Sequence, residues 1–285
     1  MKNSSSRLIS SFILGLTCFI SACLSQQVAA ADKQALRFGL YPYANPAAVY
    51  QSFRPLVEAL AKQSGHPITI DVAPNYTRHV RRLGEGKIDL AFVGPSPYVK
   101  ANDRYHTIEL LARLNIQNDS GDQTVIIAKR QSPVTKLADL KGKTFAFGDY
   151  QSFGSHFMPR YLLRQSGVAL WDLMAYDYVM GHDNVILAVL HGDFDAGAVR
   201  SDVLQNYHDR EALKIIAGPI AIPPHAIVCR KDLPTTLKES LRQTLLAIKD
   251  PAILKAIDPR MTGFSPVADQ DFNLARQVIR AIETP

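Results

Sequence analysis

Short apolar runs alternate along the chain with longer stretches whose apolar residues recur at helical spacing. The short runs predict strands at 36–41, 68–73, 88–93, 124–129, 144–148, 175–180, 195–199, 213–217 and 226–230, with a further extended stretch at 107–115. The longer stretches predict helices at 47–64, from Tyr76 onward, after 94–98, and at 157–165, 185–191, 201–207, 235–248 and 269–283. Such regular alternation is typical of an α/β protein.

Two polar or proline-rich interruptions divide this alternation into halves. One falls near 115–124, and the other, near 217–226, contains Gly218-Pro219 and Pro223-Pro224. The pattern predicts one domain formed by 32–117 and 222–285, with a second domain at 118–221 inserted into it. Two crossing segments of this kind would act as hinge strands that let the halves close around a ligand. A single continuous sheet is the alternative.

The N-terminus has the features of an export leader. Lys2 and Arg7 accompany an apolar run over 8–23, which is too short for a stable membrane span and typical of a secretory signal peptide. We therefore expect residues 1–31 to be a leader. Two processing routes stay open: cleavage after 28–30 to release a soluble protein, or lipidation of Cys23 within a lipobox at 20–23.

Composition and charge narrow the classes of partner. The chain has 32 Lys and Arg against 26 Asp and Glu, a formal net charge of +6 that is spread along the sequence. A mild basic excess is compatible with an anionic ligand, but it lacks the basic stripe of a nucleic-acid-binding protein. Cys229 is the only cysteine expected in the folded body, so no disulfide framework is predicted, and its apolar surroundings predict burial. Nothing in the sequence suggests an oligomer, so we expect a monomer.

Motifs for catalysis or cofactor binding are not found in the sequence. It contains no Gly-x-Ser-x-Gly, His-Glu-x-x-His or P-loop motif, and its eight histidines lack metal-ligand spacing. We therefore expect a binding protein without cofactor, metal or catalytic residues, and not an enzyme. A hydrolase whose triad assembles only in space is the less favoured alternative.

Polar and glycine-rich segments follow several predicted strands, at 41–46, 94–98, 148–156 and 181–184. In open α/β sheets, ligands bind beyond the carboxyl ends of the strands, where helix N-termini present free N–H groups to anions. Ser152 and Ser155 add hydroxyl groups, Gly154 permits close approach of the backbone, and His182 can donate to an oxyanion. Ordinary helix capping is the alternative role for these residues.

These segments resemble the phosphate, phosphite and phosphonate substrate-binding proteins of ABC transporters, over about residues 36–246. The matching motifs are Phe38-Gly39-Leu40, Pro55-Leu56, Ala73-Pro74-Asn75-Tyr76, Gly86-Lys87-Ile88-Asp89-Leu90-Ala91, Gly94-Pro95-Ser96-Pro97-Tyr98-Val99, Asp139-Leu140-Lys141-Gly142-Lys143, Phe147-Gly148-Asp149, Gly181-His182-Asp183, Asp195-Ala196-Gly197-Ala198, Ile222-Pro223 and Arg230-Lys231-Asp232-Leu233. The resemblance implies a type II periplasmic-binding-protein fold, in which two α/β lobes joined by two hinge strands trap a small oxyanion. It also implies a periplasmic location and delivery of the solute to a membrane permease. A sensor that signals to a membrane receptor is the alternative.

The resemblance also implies which residues contact the ligand. Tyr76 matches a pocket tyrosine, His182 the oxyanion histidine, and Asp202 an acid that faces a ligand amine in some members. The anion-gripping Ser-Thr-Ser turn of the family reads Ser-Phe-Gly-Ser at 152–155, and His225 stands where some members have an acid. The predicted ligand site comprises Tyr76, Tyr98, Ser152, Phe153, Gly154, Ser155, His182, Asp202 and His225.

Overall fold

The computed structural model describes residues 34–117 and 122–284. The predicted leader at 1–31, with its lipobox at 20–23, and the polar segment 118–121 lie outside the described residues. Within the described ranges the strands are β1 (Leu36–Leu40), β2 (Ile68–Val72), β3 (Leu90–Val93), β4 (Ile108–Ile116), β5 (Asp122–Lys129), β6 (Thr144–Phe147), β7 (Ala175–Tyr178), β8 (Ala196–Arg200), β9 (Leu213–Ile222), β10 (Ala226–Arg230) and β11 (Met261–Ser265). The α-helices there are α1 (Pro46–Ser64), α2 (Tyr76–Gly84), α3 (Pro95–Tyr105), α4 (Met158–Gln165), α5 (His182–His191), α6 (Ser201–Gln205), α7 (Thr235–Ala247), α8 (Pro251–Ile257) and α9 (Asn273–Glu283).

The strands form two sheets. The first has the order β11-β4-β10-β3-β1-β2, and the second has the order β7-β6-β8-β5-β9. Every strand of the second sheet lies between Asp122 and Ile222, so the chain leaves the first sheet after β4 and returns to it at β10. The strands therefore lie in two separate sheets, and the alternative of a single continuous sheet is wrong. The division of the chain into movable lobes at 118–221 stays a prediction.

Strand directions bring several loops to common edges. In the first sheet β1 pairs in parallel with β2 and β3, while β10 runs antiparallel to β3 with Ala226 opposite Val93. In the second sheet β6 pairs in parallel with β7 and β8, while β5 runs antiparallel to β8 with Thr124 opposite Arg200. The carboxyl ends of β1 and β3 therefore meet the start of β10, and the carboxyl end of β8 meets the start of β5.

Helix α1 shows how local sequence fixes one of these edges. Asn45 caps the helix because its Oδ1 accepts from the N–H groups of Ala47 at 3.0 Å and Ala48 at 3.3 Å. The helix ends at Gly65, whose φ of 67° is in the left-handed region that glycine adopts without strain. Its buried face consists of Val49, Phe53, Leu56, Val57 and Leu60, which pack in the core of the first sheet. Anchoring α1 in this way holds the loop between β1 and α1 at the edge of the sheet.

One apolar cluster joins the segments that flank the two sheets. Phe157 and Met158, which follow β6 of the second sheet, are buried together with Val99 of α3 and with Val278 and Ile279 of α9. Burial of apolar surface is the main stabilising contribution to such packing. The two sheets are thus held by shared side-chain packing as well as by the crossing segments.

The observed strand β9 differs from its prediction. It extends to Ile222 and continues through Gly218 and Pro219, where the sequence predicted an interruption after 217. Gly218 has a φ of 97°, and an added Cβ there would lie 2.8 Å from the backbone oxygen of Thr124 in the neighbouring strand. The Gly218-Pro219 pair predicts the end of a strand, yet the strand continues through it. It can do so because glycine adopts the positive φ and permits the close approach of the neighbouring strand.

Two short elements were not predicted at all. Helix α8 begins at Pro251 directly after Asp250, whose side chain accepts from the N–H of Ala252 at 2.8 Å. Strand β11 contains Gly263 and is completed by antiparallel pairing with β4. Short elements of this kind depend on capping and tertiary pairing more than on apolar periodicity, so the pattern did not reveal them.

Candidate ligand-binding cleft

A small cavity lies where strands of the two sheets end. It is lined by Tyr41, Tyr43, Tyr76, Gly94, Pro95, Pro97, Ser152, Phe153, Gly154, His182, Arg200, Ile222 and His225. The volume open to the centre of a water molecule is about 10 Å³, which is close to what a single bound water requires. Strand ends of this kind are the usual ligand sites of open α/β sheets, and the dimensions favour a compact ligand.

Three tyrosines form one side of the cavity. The ring centroid of Tyr41 lies 4.5 Å from that of Tyr76 and 5.6 Å from that of Tyr43, and it stacks on Phe92 at 5.5 Å. Burial raises the pKa of each of the three phenol groups above its ordinary value. The hydroxyl groups therefore stay protonated and can donate hydrogen bonds to a ligand.

The segment after β6 supplies a second wall. Ser152 precedes a single π-helical turn, Phe153–Phe157, and its Oγ accepts from the N–H of Ser155 at 3.2 Å. Asp149 supports the same turn because its Oδ1 accepts from the N–H of Gln151 at 2.7 Å. The Ser152 oxygen acts as an acceptor toward the backbone, and its hydroxyl group also hydrogen-bonds with that of Tyr76 on the opposite wall, so the two hydroxyl groups lie side by side at the cavity.

His182, at the start of α5, is a neutral hydrogen-bond donor. Its Nδ1 accepts from the backbone N–H of Arg200 at 3.3 Å, which places the proton of the neutral ring on Nε2. Burial, followed by the charge of Arg200, lowers the pKa of His182 to about 3. The backbone N–H of His182 also donates to the carbonyl oxygen of Tyr43 at 3.4 Å. This contact links the loop after β1 in the first sheet to a helix of the second.

Arg200, at the end of β8, supplies the positive charge of the cavity wall. Its Nε donates to Asp202 Oδ1 at 2.9 Å and its Nη2 donates to Asp202 Oδ2 at 2.6 Å. Nη2 also lies 3.9 Å from Asp122 Oδ1, and the guanidinium carbon lies 5.4 Å from the ring centre of Tyr43. The arginine is 8% exposed, so solvent screens its charge weakly.

Asp122 and His225 form a buried pair beside Arg200. Asp122 Oδ2 accepts from the His225 backbone N–H at 3.1 Å and lies 2.6 Å from His225 Nδ1. Burial alone would raise the pKa of the Asp122 carboxyl, but the charge and hydrogen bonds of His225 and the charge of Arg200 hold it below its ordinary value. The carboxylate therefore stays ionised and fixes the orientation of the imidazole ring, which stacks on Phe92 at 5.1 Å.

The region that contains this cavity matches a known protein family. Residues 38–272 match the family described as ABC transporter, phosphonate, periplasmic substrate-binding protein. The chain belongs to this family. The resemblance inferred from the sequence motifs is thereby confirmed.

Individual relatives of this phosphonate substrate-binding family cover most of the chain. A phosphonates-binding periplasmic protein of Escherichia coli K12 is 25% identical over 269 residues, which is 90% of this chain and 78% of that protein. The phosphate-import protein PhnD of Mycolicibacterium smegmatis is 29% identical over 167 residues, which is 55% of this chain and 52% of that protein. The structure of PhnD1 from Prochlorococcus marinus in complex with methylphosphonate superposes with a TM-score of 0.79 at 22% identity, covering 88% of this chain and 99% of that chain. The structural likeness confirms the type II periplasmic-binding-protein fold.

Six residues of the predicted ligand site line the cavity of this family member: Tyr76, Ser152, Phe153, Gly154, His182 and His225. They come from four separate segments of the chain, and the rule that ligands bind at strand ends is what grouped these distant residues in the prediction. Their direct contact with a ligand stays a prediction.

Three predicted site residues lie outside the cavity wall. The hydroxyl group of Tyr98 donates to Asp269 at 2.7 Å, and its ring lies 4.2 Å from that of Phe272, so the side chain is engaged elsewhere. Ser155 is buried behind the turn, next to Gly148. Asp202 is occupied by Arg200 and does not face the cavity directly. Tyr98 was expected to form a wall of the cavity, but Tyr41 and Tyr43 form that wall instead.

Sequence reasoning did not select Arg200, Tyr41 or Tyr43 as site residues. A signal for each was nevertheless present. The two tyrosines belong to the polar segment 41–46 that follows the first predicted strand, and Arg200 follows the predicted strand 195–199. Applying the strand-end rule to every strand would have placed all three at the same edge as the predicted site.

Features of membrane and metal sites are not found in the part of the chain that the structure describes. Within 34–117 and 122–284, no helix has the length and apolar character needed to cross a bilayer. The same ranges bring together no group of three or more His, Cys, Asp or Glu side chains that could hold a metal ion. Cys229 is buried as predicted, and burial raises the pKa of its thiol to about 12.

Proposed function

We propose that this protein binds a small phosphorus oxyanion in the cavity and presents it to the permease of an ABC importer. The observation that carries the proposal is the convergence of buried hydrogen-bond donors on one small cavity. Among the described residues that line it there is no carboxylate, and the charged side chain in the wall is Arg200. A site rich in donors and free of acceptor charges favours an anion.

His182 and Ser152 are the donors that we assign to the oxyanion. His182 has its proton on Nε2 and stays neutral, and the Ser152 hydroxyl hydrogen is not used by the backbone turn. Tyr76 supplies a protonated phenol from the other sheet. An oxyanion bound between them would connect the two sheets, which would favour the closed arrangement of the lobes.

The relatives support phosphorus-containing ligands in particular. The names of the E. coli and M. smegmatis proteins specify phosphonates and phosphate, and PhnD1 was solved with methylphosphonate. A phosphonate or phosphate group offers three or more strong acceptor oxygens, and the donors of His182, Ser152, Tyr76 and Arg200 line the cavity to meet them. We infer that the ligand is held and released unchanged, without turnover, by a monomer.

We further propose that the leader at 1–31 directs export to the periplasm, by either of the two processing routes. The mass of the mature protein purified from membranes and from periplasmic extract distinguishes them. A soluble protein beginning near Ala31 indicates signal peptidase cleavage, whereas a lipid-modified N-terminal Cys23 indicates an anchored protein.

Isothermal titration calorimetry with phosphate, phosphite, methylphosphonate and sulfate tests the ligand proposal directly. We expect tight binding of at least one phosphorus oxyanion, accompanied by thermal stabilisation. A ligand at 100 times its Kd adds about 2.7 kcal/mol to the free energy of unfolding. A ³¹P NMR spectrum of the released ligand should be unchanged.

The Ser152→Ala/His182→Ala double variant tests the site. Hydrogen bonds to a charged group contribute about 1.5–3 kcal/mol each, so we expect affinity to fall about 100-fold or more. The matched control is Ser166→Ala/His191→Ala, which changes the same residue types at exposed positions next to α4 and at the far end of α5. Full affinity in the Ser152/His182 variant would refute the site assignment.

A further inference from the structure

Two buried carboxylates stand beside Arg200 in the cavity wall, Asp122 and Asp202, which are 5% and 9% exposed. Carboxylates next to a ligand cleft ordinarily attract a cationic group of the ligand, because an unpaired buried charge is costly. Here both carboxylates are already paired within the chain. Resting on the proposed function, we propose that Arg200 makes the cleft selective for oxyanions that carry no ammonium group.

Because Asp122 and Asp202 are paired, the basic side chains of this group of residues face the ligand and the carboxylates do not. Asp202 accepts from Nε and Nη2 of Arg200 and has Arg260 Nη2 at 3.9 Å, while Asp122 binds His225. Arg200 and His225 line the cavity, and neither carboxylate does. A ligand therefore meets the guanidinium and the imidazole ring, with the carboxylates behind them.

Arg200 retains donor capacity on the side away from Asp202. A guanidinium has five N–H donors, and those of Nε and one of Nη2 are directed at the carboxylate. Nη1 lies 3.5 Å from His225 Nε2, which is a long contact for a hydrogen bond. Nη1 can consequently donate to an oxygen of a bound anion.

The charge of Arg200 is permanent because a guanidinium does not lose its proton in a protein. A ligand ammonium group in the cavity would face this fixed charge at short range and with weak screening, and none of the described residues that line the cavity is a carboxylate that could pair with it. Selectivity by repulsion of the wrong ligand is a general device of specific binding sites. Arg200 thus attracts the oxyanion and excludes the amine with one side chain.

Ethylphosphonate and aminomethylphosphonate test the inference because they have the same number of heavy atoms and differ by an ammonium in place of a methyl group. We expect the wild-type protein to bind methylphosphonate and to prefer ethylphosphonate over aminomethylphosphonate by about 10-fold or more. Arg200→Gln should weaken methylphosphonate about 10- to 100-fold and bring the preference between the other two ligands close to one. Arg130→Gln changes an exposed arginine that directly follows β5 and lies beside Glu211; it is the control and should retain the preference.

The readout separates selectivity from stability. A merely structural role for Arg200 would weaken both ligands of the pair equally and leave their ratio unchanged, which would overturn the inference. If Arg200→Gln does not fold, Arg200→Gln/Asp202→Asn removes both charges of the pair together, and the same fall in the ratio is expected. If wild type binds ethylphosphonate and aminomethylphosphonate with equal affinity, or binds neither, the inference is also overturned. Binding of methylphosphonate in that case would still support the proposed function. Failure of wild type to bind any phosphorus oxyanion would overturn both.

Discussion

Gly94 offers a direct test of the cavity as the ligand site. It caps the N-terminus of α3 at the end of β3, with φ −87° and ψ 178°, angles that any residue can adopt. A Cβ built at this position would lie 2.8 Å from the Tyr41 hydroxyl oxygen and 3.0 Å from His225 Nε2. Gly94→Ala therefore perturbs the packing of the cavity wall without straining the backbone.

The neighbouring groups have little freedom to move away. Tyr41 is 1% exposed and stacks on Phe92, and His225 is 4% exposed and held by Asp122. Overpacking of a well-packed interior costs about 1–3 kcal/mol. Where that cost falls on the ligand-bound form, it corresponds to a loss of about 5- to 150-fold in affinity.

Calorimetric titration with methylphosphonate, together with thermal unfolding of the free protein, separates the two contributions. A lower Tm without ligand reports the cost within the fold, and a raised Kd reports the cost at the site. Gly154→Ala is the matched comparison, since its added methyl group would meet Ile222 Cδ1 at 3.4 Å and Arg200 Cγ at 3.7 Å, which are ordinary contacts. We expect a clearly smaller fall in the Tm of the ligand-free protein there. Wild-type affinity and stability in Gly94→Ala would refute the reasoning from contact distances.

Two further predictions concern groups away from the ligand. Burial lowers the pKa of His156, whose Nδ1–H donates to the Tyr150 carbonyl at 2.6 Å, to about 3, whereas an unfolded histidine titrates near about 6.5. Below about pH 6.5 the unfolded state binds a proton at His156 that the folded state does not, so the free energy of unfolding should fall as the pH drops from about 6.5 toward 3. Denaturant unfolding of His156→Gln across this range should show a weaker dependence of that free energy on pH. An unchanged pH dependence would contradict the prediction. Trp171, the single tryptophan, is 87% exposed, so its fluorescence should be that of a solvated indole and should not respond to methylphosphonate. A blue shift on ligand addition would show that this surface changes with binding.

The pattern of apolar residues correctly predicted those strands and helices that are stabilised mainly by burying the same apolar residues in the core. The run at 226–230 forms β10 because those residues lie between β3 and β4 in the sheet, and 47–64 forms α1 because its apolar face meets the core. Helix α8 and strand β11 escaped prediction because a capping side chain and pairing with β4 decide them. Neither contribution is visible in a short window of sequence.

For the site, sequence could predict which loops converge but not where their side chains point. Tyr98 and Tyr41 both follow strands of the first sheet, yet Tyr98 turns toward Asp269 while Tyr41 faces the cavity. Arg200 has the appearance of a surface charge after a strand, and its burial depends on Asp122 from β5, the neighbouring strand. Side-chain direction and charge pairing between distant segments are tertiary properties, and a single sequence does not encode them in a local pattern.

The position of β10 has a consequence for how the protein is made. This strand lies between β3 and β4 in the first sheet, yet in the chain it follows every strand of the second sheet. During synthesis all strands of the second sheet are therefore made before β10 can join β3 and β4 in the first. Pairing β10 with β3 brings together residues that are far apart in the chain, and ordering the long intervening segment costs conformational entropy. Until Ala226–Arg230 emerge, β3 and β4 expose unpaired edges that can associate with other chains. The nascent chain is thus most vulnerable to aggregation when the greater part of it has already been synthesised.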